Sequence, residues 1–350
     1  MIFLKYNEVR NILSEHTSRC NLRCPQCART AANGKLNPKI TLDDMSPEDY
    51  KRLLTPDFCK QLDFVGLCGC YGDPVASPRL KETLDYLINN NVDVAIYTNG
   101  SLRSTEWWTD LAKMLPITSH VVFAIDGLTQ EINQINRVNS NFRKILNNFT
   151  SFINAGGIAH WNYIIFDWNK HQTERAHDIA KEFGFKKFYA KHSTASITTK
   201  QFINNWDKNV YKGDDQFKEL LNIYGSFKSY IDKTKIKCKA VEMKQIYIDY
   251  DLNLWPCPWL GGPLFNENDE HLQKKQLIKL HKKYGRGFNS LKNQSIERAM
   301  NHIWFRSDLS NSWENTTDDD NFKMIYCGRT CGEFYKASTI EKENKMTYEL

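Results

Sequence analysis

The feature that most limits the possible folds is a regular alternation of strand-like and helix-like segments. From Val9 to Ala190, short runs rich in β-branched and aromatic residues alternate with longer runs of helical periodicity. This alternation is typical of repeated βα units. Strands joined through helices run parallel, and right-handed crossovers curl them into a barrel or a doubly wound sheet. The six predicted strands are Val9 to Glu15, Asp63 to Cys68, Val92 to Tyr97, His120 to Ile125, Ile158 to Phe166 and Phe185 to Ala190.

Local signals mark where the predicted helices begin and end. Ser46 is a favourable N-cap, because Pro47 follows at the first helical position and Asp49 stands three residues after the cap. Gly156 and Gly184 follow the last turns of two other predicted helices, where a residue in the left-handed conformation ends a helix. The helical segments therefore have defined ends, as the connecting helices of βα units do.

Residues suited to chemistry follow the predicted strands at their carboxyl ends. In a barrel of parallel strands these ends form one mouth, where barrel enzymes keep their active sites. We therefore favour a partial (β/α)6 barrel of the TIM type over a doubly wound sheet. The alternation stops after about residue 200, and we predict a barrel domain at 1–215 and a smaller α+β domain at 216–350. The segments at the mouth are Cys20 to Cys27, Tyr71 to Pro74, Thr98 to Gly100, Asp126 to Gly127 and Asn169 to His171.

The cysteines have to be interpreted together with the expected compartment. The sequence has no signal peptide and no apolar run long enough to span a membrane, so we expect a cytoplasmic protein without a membrane partner. Cytoplasmic thiols stay reduced, and clustered cysteines there more often bind metal than form disulfides. The formal net charge of +6 is mild and its cations are scattered, which disfavours a nucleic-acid partner. The ten cysteines therefore indicate metal binding.

Three cysteines fall on one short loop after the first predicted strand. Cys20, Cys24 and Cys27 have the spacing C-x3-C-x2-C. Three thiolates on a cluster of four irons leave one iron open to bind a substrate. The alternative is structural zinc, which needs a fourth Cys or His, and the nearest candidate is His16, four residues upstream. The βα context favours the cluster.

This loop resembles the signature of the radical S-adenosylmethionine (SAM) superfamily, and the resemblance extends across nearly the whole chain. It implies that the open iron of a [4Fe–4S] cluster chelates the amino and carboxylate groups of SAM. It also implies that an electron from the cluster splits the sulfonium into methionine and a 5′-deoxyadenosyl radical, with the protein positioning and shielding that chemistry. Gln26 departs from the family, which often has an aromatic residue there, and this weakens the expected packing against adenine.

The resemblance implies a SAM-binding loop after the second strand. Gly69 to Pro74 is similar to the family's glycine-glycine-glutamate-proline motif, with Asp73 in the acidic position after Gly72. In the family this loop receives the ammonium group of SAM. A plain turn is the alternative, since Gly-Asp-Pro is good turn chemistry by itself.

The next two strand ends match the family as well. Thr98 and Asn99 follow strand three and Asp126 follows strand four, and the resemblance implies that they face the ribose and methionine parts of SAM. Arg137 stands where many relatives carry an arginine near the SAM carboxylate, although an ordinary surface arginine is equally consistent with the sequence. Asn169, after strand five, is interpreted as a helix N-cap.

Four further cysteines lie in the C-terminal part of the chain, and three others are isolated. Cys59, Cys68 and Cys70 are interpreted as packing residues, because free cysteine is among the most buried residue types. A set of four thiolates is complete for either a [4Fe–4S] cluster or structural zinc. The four are Cys238, Cys257, Cys327 and Cys331.

The four-cysteine set resembles the SPASM/twitch extension of the radical SAM superfamily, in the short twitch form with one auxiliary [4Fe–4S] cluster. The segment Gln245 to Cys257 is predicted to form a hairpin that turns at Asp251 to Asn253 and ends in Trp-Pro-Cys. The family has glycine where this chain has Leu252, so we expect Asn253 to adopt the left-handed conformation instead. Cys327 and Cys331 are expected to share a short loop, and the insert before them to be helical around Ser295 to Phe305.

The function that the resemblance implies is hydrogen abstraction from an unactivated carbon, with the auxiliary cluster taking the remaining electron. Peptide or protein modification is our first hypothesis, with an external electron donor of the flavodoxin or ferredoxin type. A small-molecule dehydrogenase or epimerase acting on an alcohol or sugar is the second. Few residues precede Cys20, so we expect peptide recognition to come from a separate partner. A non-enzymatic zinc-binding protein is the alternative from another class.

Overall fold

A computed structural model describes residues 3–192, 215–266, 268, 270–333 and 345–349, which form two compact units. None of the described helices is both long and apolar enough to cross a membrane. We call the two the sheet unit and the helical unit. Of the described residues, the sheet unit comprises 10–192, 247–253 and 345–349, and the helical unit comprises 3–9, 215–246, 254–266, 268 and 270–333.

Six parallel strands in chain order form the centre of the sheet unit, as predicted. Each pairs in parallel with the next, for example with Leu13 opposite Gly66 and Phe123 opposite Trp161. All six lie within two residues of their predicted bounds. Tyr247 and Ile248 lie beside the first strand, and a last strand pairs antiparallel with the sixth. The strands are β1 Asn11–Glu15, β2 Phe64–Cys68, β3 Asp93–Thr98, β4 His120–Ala124, β5 Ala159–Ile165, β6 Lys187–His192, β7 Gln245–Ile248, β8 Leu254–Trp255 and β9 Lys345–Glu349.

Helices connect the six parallel strands, and their ends carry the predicted signals. The Ser46 hydroxyl accepts the backbone N–H of Asp49 at 3.1 Å, and the Asp49 carboxylate accepts the N–H of Ser46. Gly184 ends its helix with a left-handed φ of 84°. The helices of this unit are α1 Pro47–Leu53, α2 Pro56–Cys59, α3 Leu80–Asn89, α4 Thr105–Met114, α5 Gln130–Asn136, α6 Phe142–Asn154 and α7 Thr173–Phe183.

Aromatic side chains fill the space between this sheet and helices α4 and α6. The rings of Trp108 and Phe123 lie 5.2 Å apart between centroids, and Phe149 packs edge-on against Phe123 at 6.1 Å. Trp161 and Phe152 belong to the same cluster, and all five side chains are at most 1% exposed. Rings of this size each bury about 150–250 Å². This core fixes the strands whose carboxyl ends carry the candidate site.

The helical unit has its own aromatic core. Trp255, Phe288 and Trp304 lie against one another, with Trp304 edge-on to both at 6.3 and 5.4 Å between centroids. The helix predicted at Ser295 to Phe305 is present as Ile296–Met300, followed by the π-helix Trp304–Asp308. The remaining helices are Asp215–Tyr224, Phe227–Lys233, Lys239–Glu242, Pro258–Gly261, Leu272–Tyr284, Leu309–Asn311 and Ile325–Cys331.

The turn after β7 is made differently from the sequence prediction. Leu252 itself has a left-handed φ of 59°, whereas Asn253 does not, so the expectation for Asn253 is wrong. The reason lies in Asp249, whose carboxylate accepts the backbone N–H of Asp251 at 3.0 Å and that of Asn253 at 2.9 Å. The side-chain amide of Asn253 also donates to this carboxylate. With Asn253 committed to Asp249, the strained conformation falls on the preceding leucine.

We predict that replacing Leu252 by glycine gives a more stable protein than replacing it by alanine. A left-handed conformation costs a residue with a Cβ about 1–2 kcal/mol, which glycine does not incur. At an ordinary position glycine is instead less stable than alanine by about 0.5–1 kcal/mol. Denaturant unfolding of Leu252→Gly and Leu252→Ala side by side measures the sign. An alanine variant as stable as the glycine variant would contradict the turn described here.

Candidate SAM and iron–sulfur site

The three-cysteine loop leaves the carboxyl end of β1, where the parallel sheet places it at the mouth. It contains a tight turn in which the Cys27 N–H donates to the Cys24 carbonyl at 3.0 Å. Backbone amides also donate to the sulfurs, from Leu22 to Cys20 and from Arg29 to Cys27, both at 3.4 Å. Amide donors of this kind favour the thiolate form that binds metal.

A buried cation, Arg29, lies close to this loop. Its side chain donates to the Ser18 carbonyl at 2.9 Å and to the Leu22 carbonyl at 3.4 Å, and the residue is 5% exposed. The guanidinium therefore braces the loop on both sides of Cys20. Arg29 was not among the predicted site residues, although its position two residues after Cys27 is a visible signal.

The environment of the three thiols fits a metal cluster. Burial, reinforced by the nearby Asp73 carboxylate, raises the pKa of Cys20 to about 12. Burial likewise raises the pKa of Cys27 to about 11 and raises that of Cys24. In such a dry place thiolates form only when a bound cation compensates their charge. Soft sulfur donors without an oxygen ligand are the set that iron–sulfur clusters use.

The loop after β2 packs directly against the backbone of the cysteine loop. A Cβ on Gly72 would lie only 1.9 Å from the Thr17 carbonyl oxygen, so no other residue fits there. The next residue, Asp73, donates its N–H to the Arg19 carbonyl at 2.8 Å. The two loops are therefore joined through main-chain contacts that depend on a glycine at position 72.

Asp73 connects the ends of β2 and β3. It is 3% exposed, and one carboxylate oxygen accepts the Thr98 hydroxyl at 3.0 Å and the Asn99 N–H at 2.8 Å. The other oxygen accepts the Val75 N–H at 3.0 Å. The Asn99 amide continues the network to the Asn21 side chain at 3.0 Å. Three of the predicted SAM-site residues thus form one hydrogen-bonded group beside Cys20.

Asp126 and Arg137 form a second group on the other side of the mouth. Arg137 Nε donates to Asp126 at 2.7 Å, Asn136 donates to the same oxygen at 2.8 Å, and Ile164 N–H donates to the other oxygen at 3.0 Å. Asp126 is completely buried. Arg137 also hydrogen-bonds Cys24, which lowers the pKa of that thiol against the effect of burial. Arg137 is therefore part of the site rather than an ordinary surface residue.

Asn169 stands at the N-cap position of the 3₁₀ helix Lys170–Gln172, as the interpretation of this loop expected. Its side chain has no capping hydrogen bond. Instead its amide donates to the Asp126 carbonyl at 2.7 Å and to the Ile164 carbonyl at 2.8 Å, while its oxygen accepts the Phe166 N–H. Asn169 therefore ties the ends of β4 and β5 together.

The three isolated cysteines have two different environments. Cys59 is 1% exposed and packs in the core as predicted. Cys68 and Cys70 are half-buried beside the Glu15 carboxylate, which accepts the backbone N–H of Cys70 at 3.0 Å. Burial raises the pKa of Glu15 to about 7, against the lowering effect of its hydrogen bonds. Glu15 is a site residue that the strand pattern did not reveal, since it appeared only as the last residue of β1.

The second cysteine set comes together within the helical unit. Cys327 and Cys331 were expected to share a short loop, and this expectation is wrong. The two residues lie one turn apart on one face of the helix Ile325–Cys331. Cys238 precedes the helix Lys239–Glu242 and hydrogen-bonds Cys331, which lowers the pKa of Cys331. Burial raises the pKa of Cys257 to about 12, and Cys331 raises it further. All four thiols therefore influence one another.

Comparison with known proteins identifies the family. A family model described as the radical SAM superfamily matches residues 14–192. The chain belongs to the radical SAM superfamily. The mycofactocin maturase MftC of Mycobacterium tuberculosis is 30% identical over 130 residues, which are 37% of this chain and 30% of the maturase. The match thus spans less than a third of that relative's own length.

Solved structures share the fold of this radical SAM protein. SuiB of Streptococcus suis bound to S-adenosylmethionine has a TM-score of 0.52 at 16% identity, covering 72% of this chain and 61% of SuiB. The structure of histidine-tagged anSMEcpe with bound AdoMet has a TM-score of 0.55 at 13% identity, covering 96% of this chain and 95% of that one. The mostly parallel sheet with its helices is the partial barrel of the superfamily.

We predict that Gly72→Ala disrupts the mouth of this radical SAM protein. The added methyl group must push the loop after β2 away from Thr17, and overpacking of this kind costs at least about 1–3 kcal/mol. The unfolding temperature should fall, and SAM should bind more weakly to the protein that remains folded. Gly287→Ala is the control, because its Cβ would have no atom within 4 Å. Equal stability of the two variants would refute the contact.

Proposed function

We propose that the chain is a radical SAM enzyme that cleaves SAM reductively and oxidatively modifies a peptide or protein. The observation that carries the proposal is the convergence of three half-buried thiols, a glycine-dependent loop and two buried carboxylate networks at one mouth of the sheet. The contributing residues follow β1, β2, β3 and β4. Reconstituted protein should therefore bind SAM at this mouth and cleave it.

Cys20, Cys24 and Cys27 would hold a [4Fe–4S] cluster with one open iron. When bound, that cluster supplies the electron that cleaves SAM to methionine and a 5′-deoxyadenosyl radical. Arg29 braces the loop between the thiols and offsets part of their negative charge.

Two hydrogen-bonded groups would shape the SAM pocket. Gly72 and Asp73 bring the loop after β2 against the cysteine loop, and Thr98 and Asn99 hold the Asp73 carboxylate in place. Side chains that are already fixed need not be ordered when SAM binds, which reduces the entropic cost of binding.

On the opposite side, Asp126 fixes the Arg137 guanidinium beside Cys24. A guanidinium held in this way is suited to the carboxylate of SAM, because its fork geometry matches a carboxylate. Asp126 itself has both oxygens engaged by protein donors, so its main task would be to orient Arg137.

The helical unit would be a SPASM/twitch domain with an auxiliary [4Fe–4S] cluster on Cys238, Cys257, Cys327 and Cys331. Cys238 hydrogen-bonds Cys331, and Cys257 and Cys327 each interact electrostatically with Cys331, so the four thiols could share one metal centre. Four thiolates are a complete set for either a [4Fe–4S] cluster or structural zinc, and membership of the radical SAM superfamily favours the cluster.

The substrate class rests on what the structural neighbours bind. SuiB has been solved with the precursor peptide SuiA, at a TM-score of 0.54 and 14% identity to this chain. The structure of anSMEcpe with AdoMet and the Kp18Cys peptide has a TM-score of 0.52 at 13% identity. The peptide substrate would give up a hydrogen atom to the 5′-deoxyadenosyl radical, and the auxiliary cluster would take the electron that remains on the substrate. An external protein of the flavodoxin or ferredoxin type would exchange electrons with the clusters.

Anaerobic reconstitution tests the cluster assignment. We expect about eight irons per chain and formation of 5′-deoxyadenosine after addition of dithionite and SAM. The triple change of Cys20, Cys24 and Cys27 to alanine should remove about four irons and abolish cleavage, because the SAM-binding cluster has no other ligands. Cys59→Ala is the matched control, since Cys59 belongs to neither set.

The result that would refute the proposal is zinc in place of iron with no cleavage of SAM. A content of about four irons and one zinc per chain would mean that the SAM-binding cluster is present and that zinc occupies the four-cysteine set. The assignment as a radical SAM enzyme would then stand, and the auxiliary cluster would be refuted. Iron content and nucleoside product are measured on the same samples, so metal loss and chemical inactivity are separated.

A protease experiment tests the substrate class. We expect an extract of the source cells to stimulate 5′-deoxyadenosine formation. The extract contains the substrate, and the 5′-deoxyadenosyl radical becomes 5′-deoxyadenosine when it takes a hydrogen atom from that substrate. Digestion of the extract with a protease, followed by inactivation of the protease, should remove that stimulation. Stimulation that survives digestion would instead indicate a small-molecule substrate.

A further inference from the structure

Glu15 gathers the backbone of the loop after β2 around one carboxylate. It is completely buried at the end of β1. One oxygen accepts the N–H of Tyr71 at 2.6 Å and that of Gly72 at 3.1 Å, and the other accepts the N–H of Cys70 at 3.0 Å. The Tyr247 hydroxyl donates to this second oxygen at 3.1 Å. Three consecutive amides and one hydroxyl therefore saturate a carboxylate that lacks an ion pair in the described part of the chain.

This arrangement determines where the carbonyls of the loop point. In a trans peptide the N–H and the C=O of one unit point in opposite directions, and the described residues contain no cis peptide bond. Because the N–H groups of residues 70, 71 and 72 face Glu15, the carbonyls of residues 69, 70 and 71 face away from it. The Cys70 carbonyl accordingly accepts the Cys27 thiol at 3.9 Å. The Cys70 carbonyl is thus turned toward the cysteine loop, and the carbonyls of residues 69 and 71 also point away from Glu15.

We infer that Glu15 is a positioning residue that turns these carbonyls to receive the ammonium group of SAM. Carbonyl oxygens aligned on one side attract a cation and accept its hydrogen bonds. Asp73, the acidic residue of the same loop, already accepts hydrogen bonds from Val75, Thr98 and Asn99, so the loop carbonyls would share the ammonium group with a carboxylate that is partly engaged. Tyr247 completes the arrangement by holding the carboxylate. The inference rests on the proposed SAM site.

The neighbouring thiols allow one alternative. The ligand atoms of Glu15, Cys68 and Cys70 lie within 4.8 Å of one another, as in a metal site. The oxygens of Glu15 already accept four hydrogen bonds from N–H and O–H donors and a longer one from the Cys68 thiol at 3.9 Å, and a metal ion would have to displace some of them. The hydrogen-bonded positioning role therefore accounts for the geometry, and metal content in the experiment below distinguishes the two.

The experiment compares SAM with desamino-SAM, the analogue without the α-amino group, by equilibrium dialysis against reconstituted protein. Glu15→Gln replaces one acceptor oxygen with an NH₂ group that faces the donors, which should turn the loop. We expect the Kd for SAM to rise at least about tenfold, the Kd for the analogue to change little, and the iron content to stay unchanged. Glu106→Gln, at an exposed position on α4, should match the unaltered protein.

Three results would overturn the inference. If the Kd for SAM and the Kd for the analogue rise equally, Glu15 only supports the fold. If the Kd for SAM does not change, Glu15 has no positioning role. If the variant loses a metal ion that the unaltered protein holds in addition to the two clusters, Glu15, Cys68 and Cys70 form a metal site. If Glu15→Gln does not fold, Tyr247→Phe gives the same test with a smaller shift, since it removes one of the four donors. Unaltered protein that holds iron but binds no SAM would refute the proposed function as well, which separates the two failures.

Discussion

The mouth of the sheet depends on two buried carboxylates, Glu15 and Asp73, that are compensated by hydrogen bonds. Burying a charge without partners costs several kcal/mol, so the loss of any hydrogen bond to either carboxylate is unfavourable. The donors around each carboxylate are therefore held in place. Glu15 holds the loop after β2 from the side of β1, and Asp73 holds the same loop to the end of β3. The loop that would contact SAM is therefore determined from both sides by strands of the sheet.

This constraint links the aromatic core to the chemistry. The rings of Trp108, Phe123 and Phe149 fix the strands, and the parallel pairing brings all their carboxyl ends to one edge. At that edge the carbonyls and amides beyond the last strand pair need new partners. Side chains such as Asn169 and Glu15 provide them, so the same residues satisfy the backbone and shape the site.

The sequence predicted the features that depend on local signals. The alternation of strands and helices, the Ser46 cap and the left-handed Gly184 follow from periodicity and capping chemistry, and the structure has all of them. The cysteine loop was recognisable because its three ligands lie within eight residues. Glu15 was not, because its partner Tyr247 lies 232 residues away along the chain.

Where prediction from the sequence was wrong, a side-chain contact had overridden the conformation that the residue itself favours. Asn253 is the better left-handed residue, but Asp249 engages its amide and the conformation falls on Leu252. Cys327 and Cys331 were expected to share a short loop, in which Gly328 follows Cys327. In the structure this glycine lies in a helix and permits close packing, because a Cβ there would come within 2.8 Å of the Ile231 side chain. The Asp249 contact is local and was visible in the neighbouring sequence, whereas Ile231 lies far from Gly328 along the chain.

The most direct test of the central claim is electron paramagnetic resonance of the reduced, reconstituted protein before and after addition of SAM. If SAM chelates an open iron held by Cys20, Cys24 and Cys27, its addition should change the spectrum of the reduced cluster. The change should persist in a variant that lacks Cys238 and vanish in one that lacks Cys24. A spectrum that SAM leaves unchanged in the unaltered protein, with full iron content, would contradict a SAM-binding cluster at this mouth.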